Sequence, residues 1–332
     1  MSSFFSYSAD LRIKKSNTLL KLNKLIDWTL IEKRLKGIYK KDIEDKGGER
    51  PYDPIKMFKS ILLGQWYSLS DPALEEALSL RLDFMMFTGF ELLEDCPDET
   101  TLCRFRNRLI KNRLDKKLFL EINSQLEKIG LKVKNSTGAI LDATIIESAA
   151  RPKRQLEIEE DRNEKETIVT KIESKDPDSR WLKKGPKFHF GYKGFVSVDS
   201  DHGYINKIHV TSANVAEVNQ LEKLIDGIDK SRVYADKGYT SEKNRSLLKK
   251  KKLKDGIMHK SSKGKQLSKW EKLKNRLISK KRYIVERAFG TLKRNFKFRR
   301  SCYIGNEKVE AQFYFKAMCF NLLKASNQMQ LT

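Results

Sequence analysis

The stretch GAILDATIIES, residues 138–148, marks a change of period along this chain. Before it, apolar residues recur at helical spacing, whereas within it the side chains alternate between two faces. One face carries Ile140, Asp142 and Thr144, and the other carries Leu141, Ala143 and Ile145. Such alternation is typical of a β-strand. We therefore expect helices before residue 138 and a mixed α/β sheet after it.

Downstream, short apolar runs alternate with helical patterns. FHFGYKGFVSVDS (188–200) and GYINKIHVTSA (203–213) predict two strands joined by a turn at 201–203. The remaining order is a helix (214–226), a strand (232–239), a helix (241–252), a short strand (255–260) and two further helices (279–296 and 311–326). The mixed-sign segment 151–185 predicts a charged surface loop with one short helix. No GxGxxG or Walker A motif occurs, so a nucleotide-binding sheet has no support.

The first part of the chain reads as helical. SDPALEEALSLRL predicts a helix capped by Asp71 with Pro72 in its first turn, and DETTLCRFRNRL predicts another. Arg104, Arg108 and Lys111 form a basic stripe on the second helix. Two helices with a short connection resemble a helix-turn-helix that enters DNA, but an ordinary bundle with a solvated basic face fits equally. We expect an all-α domain over 1–130 and a second domain over 131–332.

Charge is the strongest compositional signal. The formal net charge is +24, and residues 237–300 hold 24 Lys/Arg against four acidic residues. Such a block attracts polyanions, in particular double-stranded DNA. Apolar runs are too short to span a bilayer and no signal peptide is evident, so we expect a cytoplasmic, nucleoid-associated protein without membrane contact. Four cysteines without a C-x-x-C pair do not suggest a zinc site.

Three acidic residues stand out against this background. Asp142 lies inside the first strand, Asp236 ends the strand RVYAD, and Glu286 lies on the helix 279–296. A carboxylate in an apolar strand is unfavourable unless it is paired or ligates a cation. Three converging carboxylates would form an all-oxygen site suited to Mg²⁺ or Mn²⁺, and two such ions can support in-line phosphoryl transfer.

The helix bearing Glu286 carries two basic residues at regular spacing. Arg282 precedes Glu286 by one turn, and Lys293 follows it by two. Arg282 can orient the glutamate, while Lys293 can contact a DNA phosphate. The simpler interpretation is surface ion pairing, which contributes a few tenths of a kcal/mol.

The ordered motifs now resemble a known family. Arg282, Glu286 and Lys293 match the R-x3-E-x6-K helix of bacterial insertion-sequence transposases of the DDE class. LDATIIES, HFGYKGFVSVD, VTSANVAEVNQLEKLI and VYADKGYTS are similar to strands and connections of the insertion-sequence-five family. PYDPIKMFKSILLGQWYSLSDPALEEAL resembles the N-terminal helical part of that family. Together these motifs cover residues 45–325.

The resemblance implies an RNase H-like catalytic domain with two Mg²⁺ or Mn²⁺ ions held by Asp142, Asp236 and Glu286. It implies cleavage at terminal inverted repeats and joining of the 3′-hydroxyls to target DNA, and we expect a homodimer. Lys237 is a further candidate for phosphate contact. Trp181 and Trp270 lie in basic segments and are candidates for stacking on a base, although loop anchoring explains them as well.

Two other functions remain open on the sequence. One is a metal-dependent DNA nuclease without strand transfer, which only product analysis separates from a transposase. The other is a domesticated DNA-binding protein without catalysis, against which the three intact acidic residues count.

Overall fold

The structure is a computed structural model. It describes residues 17–39, 50–150, 152, 156–160, 167–171, 174–229, 231–261 and 266–329. None of the helices in these ranges combines the length and apolarity that spanning a bilayer requires.

Helices alone precede residue 138 in the described ranges. They are α1 (Thr18–Leu25), α2 (Trp28–Leu35), α3 (Pro54–Tyr67), α4 (Asp71–Leu80), α5 (Leu82–Thr88), α6 (Glu99–Lys111) and α7 (Leu114–Lys128). Three begin at an aspartate, Asp27, Asp53 or Asp98, whose side chain accepts a backbone N–H of the first turn. Such caps satisfy amides that have no partner inside the helix.

Two expectations about this part are wrong. Ser70, not Asp71, caps α4, which leaves the Asp71 carboxylate free to pair with both terminal nitrogens of Arg106 at 2.7 Å. The connection between α4 and α6 is also not short, because it contains α5 and a loop. The apolar run LDFMMF forms the buried helix α5 within this connection. The helices on either side of it, α4 and α6, pack against each other.

The strands after residue 138 form a mixed sheet, as the alternating pattern indicates. They are β1 (Gly138–Glu147), β2 (Leu156–Glu160), β3 (Thr167–Lys171), β4 (Arg180–Lys184), β5 (Lys187–Asp199), β6 (Ile205–Ser212), β7 (Arg232–Ala235) and β8 (Lys254–Ile257). The main sheet has the order β6-β5-β1-β7-β8, with β4 beside the first part of β5. Strands β6, β5 and β1 are antiparallel neighbours, whereas β1, β7 and β8 run parallel.

The segment 151–185 differs from the expected loop with one short helix. Where it is described, it contains the antiparallel hairpin β2–β3 and the strand β4. Clustered β-branched residues, as in TIVTK, favour extended backbone, and the surrounding charges conceal this signal in the sequence. Residues 151, 153–155, 161–166 and 172–173 of this segment lie outside the described ranges.

Helices cover both faces of the main sheet. They are α8 (Leu221–Ile225), α9 (Glu242–Lys250), α10 (Lys269–Arg294) and α11 (Asn306–Gln328). Leu141 and Val233 pack with α8 and α9 on one face. Ile140 and Val196 face α10 and α11 on the other, in the core that also contains Phe289. The faces of β1 are therefore those that its alternation predicts, and Asp142 lies on the α10 side.

The C-terminal helix α11 joins the helices before residue 138 to the sheet. It packs against α3, α7 and β6 within one continuous apolar core. Near its centre the buried Lys316 donates to the backbone oxygen of Gln65 at 2.6 Å and to the Ser68 hydroxyl at 3.0 Å. Both acceptors lie at the C-terminal end of α3, where carbonyls lack helical partners and a cation is favourable. Burial nevertheless lowers the pKa of Lys316 to about 8.

This burial predicts a pH-dependent stability difference. An unfolded lysine keeps its proton up to a pH of about 10.4, so between pH 8 and 10.4 the unfolded chain binds more protons than the folded one. Raising the pH through this window should stabilise the wild type relative to Lys316→Met by about 2 to 3 kcal/mol. Urea unfolding at several pH values measures the difference, with the exposed Lys308→Met as control. A constant difference between wild type and Lys316→Met would contradict this assignment.

Candidate active site

Two aspartates lie side by side on the α10 face of the sheet. Asp142 is in the middle of β1, paired in register with Val196 of β5. Asp236 follows β7 directly, and the parallel register pairs Leu141 with Ala235, one residue before each acid. Adjacent parallel strands therefore bring together two residues that are far apart in sequence.

The side chain of Arg282 lies between these carboxylates. One terminal nitrogen donates to Asp142 Oδ2 at 2.8 Å, and the other lies 3.8 Å from Asp236 Oδ1. Arg282 comes from α10, which packs across β1 and β7. Its side chain is 12% exposed and that of Asp142 is 14% exposed, so both charges are largely removed from water. The pair is then stabilised chiefly by its own geometry.

The electrostatics of Asp142 reflect its depth in the sheet. Burial raises the pKa of Asp142 above its usual range, while Arg282 and the backbone N–H of Ala143 act in the opposite direction. A carboxylate in this state gains from any further positive charge close to it.

Glu286 is not drawn into this pair. It lies one helical turn after Arg282 and is exposed. No group of three or more His, Cys, Asp or Glu side chains in the described ranges is arranged to hold a metal ion. The structure thus brings together Asp142, Asp236 and Arg282 of the expected set, with Glu286 on the neighbouring turn.

The donor chemistry fits a divalent cation. Asp142 and Asp236 supply the carboxylate oxygens that Mg²⁺ and Mn²⁺ prefer, and the Nε of Arg282 is buried without a hydrogen-bond partner. A guanidinium with an unsatisfied N–H is poorly fixed in its present place. The site therefore joins a buried and a partly exposed carboxylate through a guanidinium whose Nε–H is unsatisfied.

A fourth acidic residue, which is not among the three acidic residues predicted from the sequence, borders the site. Glu217 lies on the turn before α8, with its carboxylate 3.6 Å from Lys193 Nζ. A Cβ on Gly238 would come within 2.7 Å of Glu217 Oε2, so a larger residue two positions after Asp236 would displace the Glu217 carboxylate. In the sequence, the glycine of the DKGY stretch (236–239) is the signal that could have indicated a close neighbour at this turn.

Tyr239 follows Asp236 by three residues and packs in the apolar cluster of Leu141 and Val233. It is fully buried, and its hydroxyl has no hydrogen-bond partner in the structure. Burial raises the pKa of Tyr239 well above its usual value, and the nearby charges of Glu217, Asp142 and Asp236 add to that effect. The hydroxyl therefore stays protonated and faces a cluster of negative charge.

Basic residues form one rim of the site. Lys293 is half-buried, and its pKa is lowered by burial and by the charges of Lys184 and Arg299. Lys237 is exposed on the turn after β7, where its backbone N–H donates to Asp236 Oδ1 at 2.6 Å. A phosphate at this rim would relieve the repulsion among the cations.

The other candidate DNA residues lie away from the acid pair. Trp181 is on β4, 47% exposed and against Phe190. Trp270 is 67% exposed in the first turn of α10, about 18 Å along the helix from Arg282 at 1.5 Å per residue. On α6, Arg104 and Lys111 are exposed, whereas Arg108 lies over the Tyr39 ring. Trp270 therefore lies on a helix and not in a loop.

Comparison with known proteins places the chain in a family. The model described as "Transposase DDE domain" matches residues 134–322, and the one described as "Transposase domain (DUF772)" matches residues 7–108. The first match covers more than half of the chain, so the chain belongs to the DDE transposases.

A curated relative narrows the class. The chain is 43% identical over 228 residues, which is 68% of this chain and 78% of the relative, to the "Transposase for insertion sequence element IS1106" of Neisseria meningitidis serogroup B. The expected resemblance to bacterial insertion-sequence transposases of the DDE class is thereby confirmed. The cryo-EM structure of a piggyBac transposase synaptic complex with hairpin DNA matches with a TM-score of 0.47 and 11% identity, over 93% of this chain and 75% of that one.

The Arg282 bridge can be tested by stability. Arg282→Gln leaves the buried Asp142 without its counter-charge, and the free energy of unfolding at pH 7 should fall by about 3 kcal/mol. The loss should shrink as the pH is lowered, because protonation of Asp142 removes the uncompensated charge. Adding Asp142→Asn should recover part of the loss in a double-mutant cycle.

An exposed ion pair supplies the matched control for this cycle. Arg113 pairs with Glu307 at 3.3 Å, and the two side chains are 63% and 54% exposed, so Arg113→Gln should cost less than about 1 kcal/mol. Equal losses in the two arginine variants would show that burial does not strengthen the Arg282 contact.

Proposed function

We propose that this protein cleaves DNA at the terminal inverted repeats of its element and joins the freed 3′-hydroxyls to target DNA. In this proposal it is a member of the insertion-sequence-five family that acts as a homodimer, with a helical DNA-binding domain over 1–130 and an RNase H-like domain over 131–332. The observation that carries the proposal is the pairing of Asp142 with Asp236 across parallel strands through Arg282. A sheet order of β6-β5-β1-β7-β8 with one acid on each central parallel strand supports it.

In this proposal Asp142, Asp236 and Glu286 hold two divalent ions. When bound, Mg²⁺ or Mn²⁺ supplies activation of the attacking oxygen and charge stabilisation at phosphorus. Arg282 neutralises the two aspartates until then and is positioned to turn towards Glu286, one helical turn away. Lys293 holds a DNA phosphate at the rim. The negative phosphate favours the protonated lysine and so opposes the lowering of the pKa of Lys293 by burial.

The DNA path in this proposal follows the basic surface of the second half of the chain. Lys293 and Lys237 contact the backbone next to the acids, and Trp181 on β4 contacts DNA farther from them. The exposed lysines at the end of α9 extend the path, and the stripe of Arg104, Arg108 and Lys111 on α6 supplies a separate contact from the helical part.

A cleavage assay tests the catalytic assignment. Purified protein is incubated with Mg²⁺ or Mn²⁺ and a labelled duplex that carries the element's end, and products are mapped for free 3′-hydroxyls and joined molecules. We expect metal-dependent cleavage that disappears in Asp236→Asn and in Glu286→Gln, because each removes a charged oxygen ligand. The control Asp226→Asn removes an exposed carboxylate, 77% exposed, and should cleave normally.

The other outcomes identify the alternatives. Cleavage without joined products indicates a nuclease, and specific binding without cleavage in any variant indicates a DNA-binding protein without catalysis. A binding readout separates loss of metal from loss of fold: Mn²⁺ should raise the melting temperature of the wild type and of Asp226→Asn, but less that of Asp236→Asn.

Salt dependence tests the DNA path. Lys249, Lys250 and Lys252 are exposed at the end of α9. Changing all three to Gln should weaken DNA binding and flatten the plot of log affinity against log salt by about 0.9 per lost phosphate contact. The exposed set Lys24, Lys33 and Lys36 on and beside α1 and α2, changed in the same way, controls for net charge. The same slope in both triple variants would remove α9 from the path.

A further inference from the structure

The first half of α10 stands apart from the body of the protein. No side chain from 266 to 277 is buried, and the first buried residue of the helix is Ile278. The helix is nevertheless anchored, because the Asn275 side chain donates to the backbone oxygen of His259 at 2.9 Å and accepts its N–H at 2.7 Å. Over two and a half turns, 269–277, this fixed helix has a face that the described part of the chain does not cover.

That free face is apolar along its centre. Trp270, Leu273 and Leu277 are 67%, 46% and 55% exposed. Their spacing of three and four residues aligns them along one side of the helix, away from Asn275, and Ile284 continues the line into the protein. Lysines flank this line, with Lys269 and Lys280 on one edge and Lys274 and Lys281 on the other. We call this face the α10 stripe. Exposed apolar residues in a row indicate a protein-binding surface.

A surface of opposite charge lies on the N-terminal helices. Residues 71–99 contain nine acidic residues and one basic residue in a chain whose net charge is +24. Three leucines are exposed there: Leu80 at 71%, Leu92 at 54% and Leu93 at 98%. We call the exposed part of this region the acidic surface.

The acidic surface is contiguous. Cys96 of the loop lies close to Ser79, next to Leu80 at the end of α4. Glu75 of the same helix accepts the backbone N–H of Glu99 at 2.7 Å. Such a surface repels DNA phosphates and attracts a basic, apolar partner.

The two surfaces do not meet within one molecule. The C-terminal end of α10 adjoins the N-terminal helices, where Phe296 packs against Trp66. Leu273 lies 21 residues before Arg294, about 32 Å away along the helix axis. The α10 stripe and the acidic surface are thus at opposite ends of the helix.

We propose that the α10 stripe of one protomer docks on the acidic surface of a second copy of this chain. Leu273 and Leu277 then pack against Leu92 and Leu93, while Lys274 and Lys280 face Glu91 and Asp95. In a two-fold dimer each protomer offers both surfaces, so the contact forms twice. Two α10 stripes cannot pair with each other, because lysines on both edges would repel. The inference gives an interface to the proposed homodimer and rests on that part of the proposed function.

A charge-swap experiment tests this interface on the full chain. The first variant is Glu91→Lys with Asp95→Lys, and the second is Lys274→Glu with Lys280→Glu. All four residues are exposed, and none belongs to the candidate active site. Sedimentation is measured without DNA or metal, so failure of the interface is separate from failure of catalysis. A dimeric wild type, with a dimer dissociation constant at least about tenfold higher in each variant alone, is expected.

Mixing the variants gives the decisive measurement. In the mixture, lysines of the first variant's acidic surface meet glutamates of the second variant's α10 stripe, and the native lysines of the first meet the native acids of the second. Both contacts of the two-fold dimer regain opposite charges, so the mixed dimer should re-form. As apolar tests, Leu92→Gln with Leu93→Gln and Leu273→Gln with Leu277→Gln should each weaken the dimer.

Three results would overturn the inference. They are a wild type that stays monomeric at all concentrations, a mixture that stays monomeric, and stripe variants that remain dimeric while losing DNA affinity. The last would assign the α10 stripe, with Trp270, to DNA.

Discussion

The contact on which the site depends is the placement of Arg282 between Asp142 and Asp236. Two carboxylates on neighbouring parallel strands repel each other, and burial of Asp142 increases the cost of its charge. Arg282 offsets both effects, and it can do so because α10 packs across β1 and β7. The packing of one helix therefore decides whether two neighbouring carboxylates can be kept on this sheet.

The same balance extends outward from the acid pair. Glu217 and the buried Tyr239 hydroxyl surround it from the loop side, and Gly238 leaves the space that this approach needs. Lys293, Lys184 and Arg299 crowd the opposite rim, where their repulsion favours an anion. Negative charge at the centre suits a bound cation. Positive charge around it suits a nucleic acid backbone, so the site can hold the two next to each other. That arrangement agrees with membership of the DDE transposases.

Charge is segregated on a larger scale as well. The basic excess lies after residue 237, whereas 71–99 is strongly acidic. Uniform positive charge would serve DNA binding alone, but it would also keep two copies of the chain apart. In the proposed dimer, an acidic surface on the N-terminal helices lowers that repulsion at one place, and apolar residues are exposed beside it.

The local elements followed from sequence patterns. Alternation in GAILDATIIES determined the strand β1 and the face that carries Asp142, because successive side chains of a strand point to opposite sides. Side-chain contacts between distant residues determined what the patterns could not show. Asp71 pairs with Arg106 instead of capping α4, and acidic residues concealed the β2–β3 hairpin.

The candidate active site also has features that sequence patterns predict and features that depend on tertiary contacts. The sequence by itself grouped Asp142, Asp236 and Glu286 as one acidic set, since an acid within or directly after an apolar strand requires a partner, and it placed Arg282 beside Glu286. Only the tertiary structure decided that Arg282 lies between the aspartates, that Glu286 stands outside the pair and that Glu217 lies beside it. Strand register and helix packing set these distances, and both depend on contacts between residues widely separated in the chain.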